Sequence, residues 1–304
     1  MKAKADPQRD QFDSSAIHCV GIIPAMHKRR IASAVRDIVE WLGERDIRAL
    51  VPAEQAETLG LPETASSLDE LSERADLMLS MGGDGTFLST ARIAAPRGKP
   101  LVGINLGGFG FLASVPSGDE MLPALSSGLK GMLRLQHRMM LQAAVKRRGS
   151  EAASFLALND IVVGKGAFSR LFRMRTSISG DRVSYFPADG LIIATPTGST
   201  GYSLSAGGPI VDPDVRVIIL TPICPHALSA RTLAVPPDRV IEMKIPDLHG
   251  AEVNLTADGQ EGFVLHSDDV VVVREAPFSA RVVVFDGSSF YARLRTKLGW
   301  GSHR

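Results

Sequence analysis

A chain of 304 residues exceeds the usual length of one domain, and its 44% hydrophobic content is enough to build two cores, which argues against a disordered chain. The 34 basic residues nearly balance the 33 acidic ones, and a formal net charge of +1 argues against nucleic acid or an anionic membrane as the main partner. Two cysteines and no Cys/His metal spacing argue against a disulfide framework and a structural zinc site.

Strands and helices alternate in the first third of the chain. Apolar residues spaced on one face predict a helix over 28–45, and a second helix is predicted after the glycines that follow residue 80. Short apolar runs predict strands over 17–23, 47–51, 76–80 and 100–105. This alternation is typical of a Rossmann-like α/β domain, in which a parallel sheet is covered on both faces and ligands collect at the carboxyl ends of the strands.

Beyond residue 131 the pattern changes to short β-rich runs separated by Gly, Pro, Asp and Ser, which is typical of an all-β sandwich or barrel-like module. The predicted strands cover 142–146, 155–163, 171–178, 191–194, 215–220, 240–245, 253–257 and 269–274. A last helix over 289–299 is expected to return to the first domain. We therefore predict an α/β nucleotide-binding domain over 16–118 plus 286–304, a β-rich sandwich-like domain over 119–285, and a disordered segment over 1–15.

The segment Met81-Gly-Gly-Asp-Gly-Thr86 directly follows the third predicted strand. Its glycines leave backbone N–H groups open to phosphate oxygens, and the helix that follows adds its positive N-terminal end. Asp84 is then a carboxylate placed where a phosphate meets its acceptor. The segment predicts a phosphate-handling site, with an ordinary Asp-Gly turn as the alternative.

Two polar segments in the second half are candidates for ligand binding. Thr195 to Ser205 is rich in hydroxyls and glycines and carries no charge, which suits a polar, neutral ligand such as a nucleoside, and Tyr202 can stack or donate. Asn159-Asp160 interrupts a run that otherwise looks like a buried strand, so both side chains need partners. Those partners are either neighbouring backbone at a bulge or the ribose or amide of a ligand.

Three further segments carry weaker signals. Residues Gly108 to Ala113 fit G-x-G-x-x-A, but no acidic residue follows about twenty positions later, so a glycine-rich strand exit is favoured over a Rossmann fingerprint. Asp258-Gly-Gln260 is typical of a hairpin turn. His226 is interpreted as a structural histidine rather than a catalytic one.

Eight motifs, in order from about residue 17 to residue 300, resemble those of the NAD kinase family. The first is shared with diacylglycerol and sphingosine kinases, and the later ones separate the families. The motifs are Gly82-Gly-Asp-Gly-Thr86, Asn105-Leu-Gly-Gly-Phe-Gly-Phe-Leu112, Asn159-Asp160, Ala188-Asp-Gly190, Thr195-Pro-Thr-Gly-Ser-Thr-Gly-Tyr202, Pro225-His-Ala-Leu-Ser-Ala-Arg231, Asp258-Gly-Gln260 and Leu294-Arg-Thr-Lys-Leu-Gly-Trp300.

The resemblance implies transfer of the γ-phosphoryl group of ATP, or of polyphosphate, to the 2′-hydroxyl of the adenosine ribose of NAD, giving NADP. It also implies that Asp84 is the general base, since a carboxylate about 3 Å from a hydroxyl can take its proton as the bond to phosphorus forms. Mg²⁺ or another divalent cation is expected on the nucleotide phosphates, so no protein metal ligands are assigned. The site is expected between the two domains.

Matched position by position, the resemblance implies a set of residues that bind the nucleotides. Phe111 matches an aromatic residue of the adenine pocket, and Arg170 and Gln260 match further contact positions. The full set is Gly82, Gly83, Gly85, Thr86, Phe111, Asn159, Asp160, Arg170, Asp189, Thr200, Gly201, Tyr202, Ser203, Leu204, Ser205 and Gln260.

Four positions depart from the family pattern. Asp160 stands where the family has Glu, and its carboxylate reaches about 1.5 Å less, one carbon–carbon bond, so its contact can become water-bridged. Gly201 replaces an alanine. Ser89 and Pro187 stand where many relatives carry basic residues, which puts phosphate contacts from these two positions in doubt.

The expected partners are small-molecule nucleotides, with no nucleic acid and no membrane, and the resemblance implies a homo-oligomer, either a dimer or a tetramer. The chain has no apolar signal core and no apolar run of membrane-spanning length, and two unpaired cysteines fit a reducing compartment, so a cytoplasmic location is expected. Two alternatives remain open: a lipid kinase of the diacylglycerol type that shares the glycine turn, and a non-catalytic NAD(H)-binding sensor.

Overall fold

The computed structural model describes residues 9–106, 110–166, 172–227, 229–248, 250–285 and 289–299. The chain divides into two compact units, unit 1 over Met1–His137 and Ser279–Arg304, and unit 2 over Arg138–Phe278. Both divisions fall inside long strands, whereas the predicted domain bounds, 118/119 and 285/286, were placed in segments between strands. The predicted pairing of an α/β fold with a β-rich fold is confirmed.

Unit 1 is built on a parallel sheet. Its strands run in the order β4-β3-β2-β5-β6-β18, and each neighbouring pair is parallel. The strands of unit 1 are β1 (Arg9–Asp13), β2 (Cys19–Pro24), β3 (Arg48–Pro52), β4 (Ala65–Ser66), β5 (Leu77–Gly82) and β6 (Pro100–Asn105), with the first part of β7 (Met132–Arg147) and the last part of β18 (Val270–Val283). Because the central strands are buried on both faces, they are continuous apolar runs, and this is why the sequence predicts them well.

The described residues of unit 1 form six α-helices. They are α1 (Ile31–Gly43), α2 (Ala53–Leu59), α3 (Leu68–Arg74), α4 (Asp84–Ala94), α5 (Met121–Gly128) and α7 (Phe290–Leu298). In α1, Ile31, Val35, Ile38 and Leu42 are buried at the spacing of one helical face, as predicted from the sequence. The predicted return of the C-terminal helix is confirmed, since α7 is part of unit 1.

Unit 2 contains two antiparallel sheets around one core. Its strands are the last part of β7, β8 (Ser150–Ala157), β9 (Asp160–Lys165), β10 (Phe172–Ile178), β11 (Asp181–Ala188), β12 (Gly190–Ala194), β13 (Ile218–Ile223), β14 (Leu233–Val235), β15 (Ile241–Lys244), β16 (Val253–Ala257), β17 (Glu261–Leu265) and the first part of β18. One sheet has the order β14-β13-β12-β9-β16-β17, and the other contains β11-β10-β15-β18. Buried residues of both sheets form a single cluster, which is the arrangement of a β sandwich.

The second face of the six-stranded sheet is covered by the chain that follows β12. Val162, Ile192 and Ile219 form a small buried cluster there, against which Ala206 and Val211 pack. The segment that was predicted to be a hydroxyl-rich ligand loop therefore folds back over the sheet. It contains a short 3₁₀ turn (Thr197–Thr200) and the one-turn helix α6 (Tyr202–Ser205).

Two predicted segments differ from the structure. Residues 155–163 were predicted as one strand, but β8 ends at Ala157 and β9 begins at Asp160, because the backbone N–H groups between them bond to a side chain instead of a neighbouring strand. The segment 1–15 was expected to be disordered, but its residues 9–13 form β1, which pairs with β7, a partner more than a hundred residues away that local sequence does not reveal. Residues 1–8 lie outside the described residues.

Among the residues that the structure describes, no helix combines the length and the hydrophobicity that a bilayer crossing needs.

Candidate active site

Asp84 lies at the junction of β5 and α4. The strand ends at Gly82, Gly83 is the N-cap, and Asp84 is the first residue of the helix, where a carboxylate interacts favourably with the helix dipole. A Cβ at Gly82 would lie 2.8 Å from the Cβ of Ala25, so the fold itself requires glycine there. A Cβ at Gly83 would meet nothing within 4 Å, so the backbone at Gly83 borders open space.

The carboxylate of Asp84 is held by the segment that follows β6. The backbone N–H of Phe111 donates to Asp84 Oδ2 at 2.7 Å, and that of Leu112 donates to Asp84 Oδ1 at 3.0 Å. Gly110 lies so close that a Cβ there would be 2.6 Å from Asp84 Oδ1. The half-buried carboxylate is therefore fixed in position, and Phe111 contributes through its backbone, which the sequence did not predict.

The other residues of the predicted phosphate turn lie in the first turn of α4. Gly85 is exposed, Thr86 is half-buried, and the carbonyl of Thr86 accepts hydrogen bonds from the hydroxyls of Ser89 and Thr90 at 2.9 and 2.7 Å. Ser89, which stands at a position where the family resemblance implies a basic residue, thus bonds to its own helix.

Arg293 of α7 lies near Asp84. Burial lowers the pKa of Arg293 below its usual value, and the negative charge of Asp84 opposes that decrease. The charge of Asp84 thus acts on a guanidinium from the other end of the chain. The C-terminal helix was predicted, but this interaction was not.

In unit 2 the residues 158–160 form a turn held by Asp258. The N–H groups of Leu158, Asn159 and Asp160 donate to its carboxylate at 3.1, 2.7 and 3.2 Å. From the other side, Thr195 donates its hydroxyl to the carbonyl of Leu158 at 2.6 Å and its N–H to the carbonyl of Asn159 at 2.8 Å. Asn159-Asp160 is therefore a rigid junction between strands rather than a bulge within one.

The sequence interpreted Asp258, which holds this turn, only as part of a hairpin. The hairpin is confirmed: Asp258 and Gly259 have φ angles of 52° and 64° and connect β16 to β17. The additional role arises because the N–H groups that Asp258 accepts lie 98 to 100 positions earlier in the chain. No local pattern could have revealed it.

Asp160 is buried, with 5% of its surface exposed. Burial and, to a smaller extent, the neighbouring negative charge of Asp258 together raise the pKa of Asp160 to about 7. Gly201 is close to both polar residues, since a Cβ there would lie 3.6 Å from Asn159 Nδ2 and 3.9 Å from Asp160 Oδ2. The structure therefore brings Asn159, Asp160, Gly201 and Asp258 together.

Several hydroxyl groups of the segment after β12 form hydrogen bonds within the protein. Ser199 donates to the carbonyl of Pro196 at 2.6 Å, and the hydroxyls of Ser203 and Thr221 are 2.9 Å apart and buried. Thr200 donates to the carbonyl of Thr197 at 3.3 Å. Tyr202 differs, because 48% of its surface is exposed, so its ring and hydroxyl are accessible to a ligand. In α6, Leu204 is half-buried and Ser205 is exposed.

The remaining predicted residues are more scattered. Asp189 forms an ion pair with Lys165, with 2.9 Å between Nζ and Oδ1, at the opposite end of β12 from the Asn159 turn. Gln260 is exposed in the β16–β17 hairpin, next to Asp258 in the chain. His226 is exposed. Arg170 and residues 107–109, which include the first two positions of the glycine-rich 108–113 segment, lie outside the described residues.

The described parts of the chain contain no group of three or more His, Cys, Asp or Glu side chains placed to hold a metal ion.

Comparison with known proteins gives consistent results along the chain. The model of the ATP-NAD kinase N-terminal domain matches residues 20–130, and that of the ATP-NAD kinase C-terminal domain matches residues 158–285. The NAD kinase of Moorella thermoacetica is 44% identical over 285 residues, which are 94% of this chain and 90% of that protein. The NAD kinase of Syntrophotalea carbinolica is 42% identical over 284 residues, 93% of this chain and 98% of that protein.

Two solved structures resemble the fold. Yeast NADH kinase in complex with NADH matches with a TM-score of 0.86 and 27% identity, covering 95% of this chain and 89% of that one. An NAD kinase from Archaeoglobus fulgidus in complex with ATP matches with a TM-score of 0.66 and 25% identity, covering 92% of this chain and 97% of that one. No lipid kinase or non-catalytic sensor is among these relatives.

Proposed function

The chain belongs to the NAD kinase family and is a phosphotransferase, and from this premise we propose that Asp84 is the general base of its reaction. The observation that supports the assignment is the position of the Asp84 carboxylate: it is held by two backbone N–H groups next to the open backbone of Gly83. A base held in place in this way can receive a proton from a hydroxyl that lies within hydrogen-bond distance.

The proposed step is an in-place exchange of bonds at the γ-phosphorus. The 2′-hydroxyl of the adenosine ribose of NAD gives its proton to the carboxylate of Asp84 while its oxygen forms a bond to the γ-phosphorus of ATP. The bond between that phosphorus and the oxygen that bridges it to the β-phosphate breaks, and ADP leaves with the electron pair. Backbone N–H groups at Gly83 and Gly85, at the start of α4, are suited to stabilise the charge on the transferring group.

For the acceptor, we propose that Asn159, Asp160, Asp189 and the segment from Thr200 to Ser205 bind NAD. Support comes from the junction between β8 and β9, where the side chains of Asn159 and Asp160 lie beside Gly201 and the backbone that carries them is held by Asp258. The exposed ring of Tyr202 suits stacking on a base. Gly82, Thr86, Phe111, Arg170 and Gln260 complete the proposed set.

The donor we propose is ATP, since the Archaeoglobus fulgidus relative was solved with ATP. Mg²⁺ would enter as the nucleotide complex and neutralise phosphate charge. The complex of yeast NADH kinase with NADH makes NADH a second acceptor to test. As the resemblance implies, we also propose a cytoplasmic homo-oligomer, which cell fractionation and light scattering would test.

A donor and acceptor screen tests this proposal. Purified protein is incubated with Mg²⁺ and either ATP or polyphosphate, against either NAD or NADH, and phosphorylated dinucleotide is measured by chromatography. ATP with NAD should give NADP, and Asp84→Asn should remove most of that product. If no pair gives product, the proposed donor and acceptor are wrong, and if Asp84→Asn retains normal turnover, the base is wrong.

A further inference from the structure

A cleft of about 320 Å³ lies in unit 1 between α7 and the chain that follows β6. Asn105, the last residue of β6, forms part of its wall, and in the sheet Asn105 is paired with Gly82 at the end of β5. The cleft therefore opens at the carboxyl ends of two parallel strands, the edge at which ligands bind in α/β sheets. Ser114 and Gly110 line it on the side of the returning chain.

The cleft has the electrostatics of an anion site. Arg293 and Lys297, one helical turn apart on α7, both line it, and none of the described residues that line it is acidic. Arg293 and Lys297 are both half-buried, so their charges act through a medium less screened than bulk water. The side chains of Asn105, Ser114 and Thr296 add neutral hydrogen-bonding groups.

The cleft also adjoins the proposed base. Gly110, in its wall, has its α-carbon against the carboxylate of Asp84, since a Cβ there would be 2.6 Å from Oδ1. The negative charge of Asp84 favours the charged form of Arg293 and so opposes the lowering of its pKa by burial. An anion in the cleft would thus lie beside the carboxylate that receives the proton.

We propose that this cleft binds the phosphate chain of the phosphoryl donor, with Arg293 and Lys297 as its cationic contacts. This inference rests on the proposed function, and it assigns the donor to a location that the glycine turn alone does not define. A guanidinium donates to phosphate oxygens through two parallel N–H groups, and an ammonium acts as a point charge, so the two residues together suit a chain of phosphates.

Kinetics of charge-removing variants test the proposal in the full-length protein with Mg²⁺, ATP and NAD. Arg293→Gln should raise the KM for ATP about tenfold, equal to about 1.4 kcal/mol, and Lys297→Gln about threefold, because an ammonium acts as a point charge and lacks the two parallel N–H donors of a guanidinium. The KM for NAD should stay within about twofold in both, since phosphate contacts at the donor leave the acceptor unchanged.

Arg295→Gln is the matched control. Arg295 lies between the two cations on the same helix, is exposed and does not line the cleft, so its loss should change the KM for ATP by less than about twofold. Inorganic tripolyphosphate provides a second readout. It should inhibit competitively against ATP but not against NAD, and this inhibition should weaken in both cleft variants. A turnover assay with polyphosphate as donor shows whether the same cations serve both donors.

Two outcomes would overturn the inference: a normal KM for ATP in both cleft variants, or a KM for NAD that rises as much as that for ATP. Thermal unfolding checks that the variants fold, and if Arg293→Gln does not fold, the charge reversal Lys297→Glu decides the question. The failures are separable, because wild-type protein that forms no NADP refutes the proposed function, whereas normal wild-type turnover with unaffected variants refutes only the cleft.

Discussion

Two aspartates of the molecule sit in opposite environments. Asp84 in unit 1 is half-buried, and two backbone N–H groups donate to its carboxylate. Asp160 in unit 2 is 5% exposed, and its pKa is raised to about 7, first by burial and then by Asp258. In the turn of Asp160 the backbone N–H groups donate to Asp258 and not to Asp160 itself.

The difference shows how the surroundings of a carboxylate determine the role it can take. A residue that must receive a proton benefits from fixed donors that keep its oxygens in one place. A residue with a pKa near 7 exchanges its proton at neutral pH, so it can donate to a ligand as well as accept from one. We therefore expect Asp84 to act on the reaction and Asp160 to act on ligand binding.

The largest effect is expected from Asp84→Asn. Loss of a general base lowers kcat about 10²–10⁴-fold, while the KM for NAD should stay nearly constant. Asp76→Asn is the matched control, because the Asp76 carboxylate also accepts two backbone N–H groups in unit 1, those of His18 and Cys19, both at 2.9 Å. Steady-state kinetics of both variants should show a loss of kcat in the first alone, and equal losses would make Asp84 a structural residue.

Asp160→Asn tests the other carboxylate through the pH dependence of stability. Because its pKa is raised from 3.8 to about 7, the folded state holds the proton more tightly than the unfolded state. Below about pH 4, Asp160 is protonated in both the folded and the unfolded state, so its ionisation does not affect stability. As the pH rises from about 4 to 7, the free energy of unfolding of the wild-type protein decreases. The variant avoids this loss, so its stability relative to wild type should rise by up to about 4 kcal/mol between pH 4 and pH 8.

Denaturant unfolding across this pH range measures that difference. Asp268→Asn is the control, since the Asp268 side chain is 73% exposed. A flat difference between Asp160→Asn and wild type would show that Asp160 ionises in the fold as easily as in the unfolded chain.

Gly110→Ala should disturb Asp84 without removing it. The added Cβ would lie 2.6 Å from Asp84 Oδ1, so either the carboxylate or the 110–112 segment must move. Since misplacement of a catalytic group by about 1 Å can lower turnover about 100-fold, we expect kcat to fall about 10- to 100-fold. Gly43→Ala, whose Cβ would meet nothing within 4 Å, should leave kcat unchanged, and an active Gly110→Ala would mean that the position of Asp84 is not critical.

Asp160→Glu should have the smallest effect. The longer side chain reaches about 1.5 Å further, so if Asp160 contacts NAD through water, a direct contact should lower the KM for NAD about threefold, with kcat unchanged. Thermal unfolding should accompany the kinetics, because one added methylene in a buried position can cost about 1–3 kcal/mol of stability. An unchanged KM in a folded variant would assign Asp160 a structural role.

The parts of the fold that sequence predicts are those with local patterns. The buried parallel strands are apolar runs, and α1 repeats its apolar residues at helical spacing. Strands such as β1 and β17 were missed, because they are mostly exposed and owe their conformation to pairing with distant segments.

The candidate site divides in the same way. Asp84 follows from a glycine pattern that any reader of the sequence can see. The donors to Asp84 come from residues 27 and 28 positions later, and the N–H donors to Asp258 from about a hundred positions earlier. Sequence therefore supplied the candidate side chains, which stay predictions, but not the backbone groups and the carboxylate that position them.

The chain leaves unit 1 within β7 and returns to it within β18, whose residues Arg281 and Val282 pair with Pro100 and Leu101 of β6. Unit 2 is thus an insertion in sequence. On the ribosome, the outer edge of β6 cannot pair with β18 until all of unit 2 has been synthesised. The helix α7 is synthesised after β18. The unit that begins first is completed last, and Asp84 gains the neighbouring charge of Arg293 only when the final helix has formed.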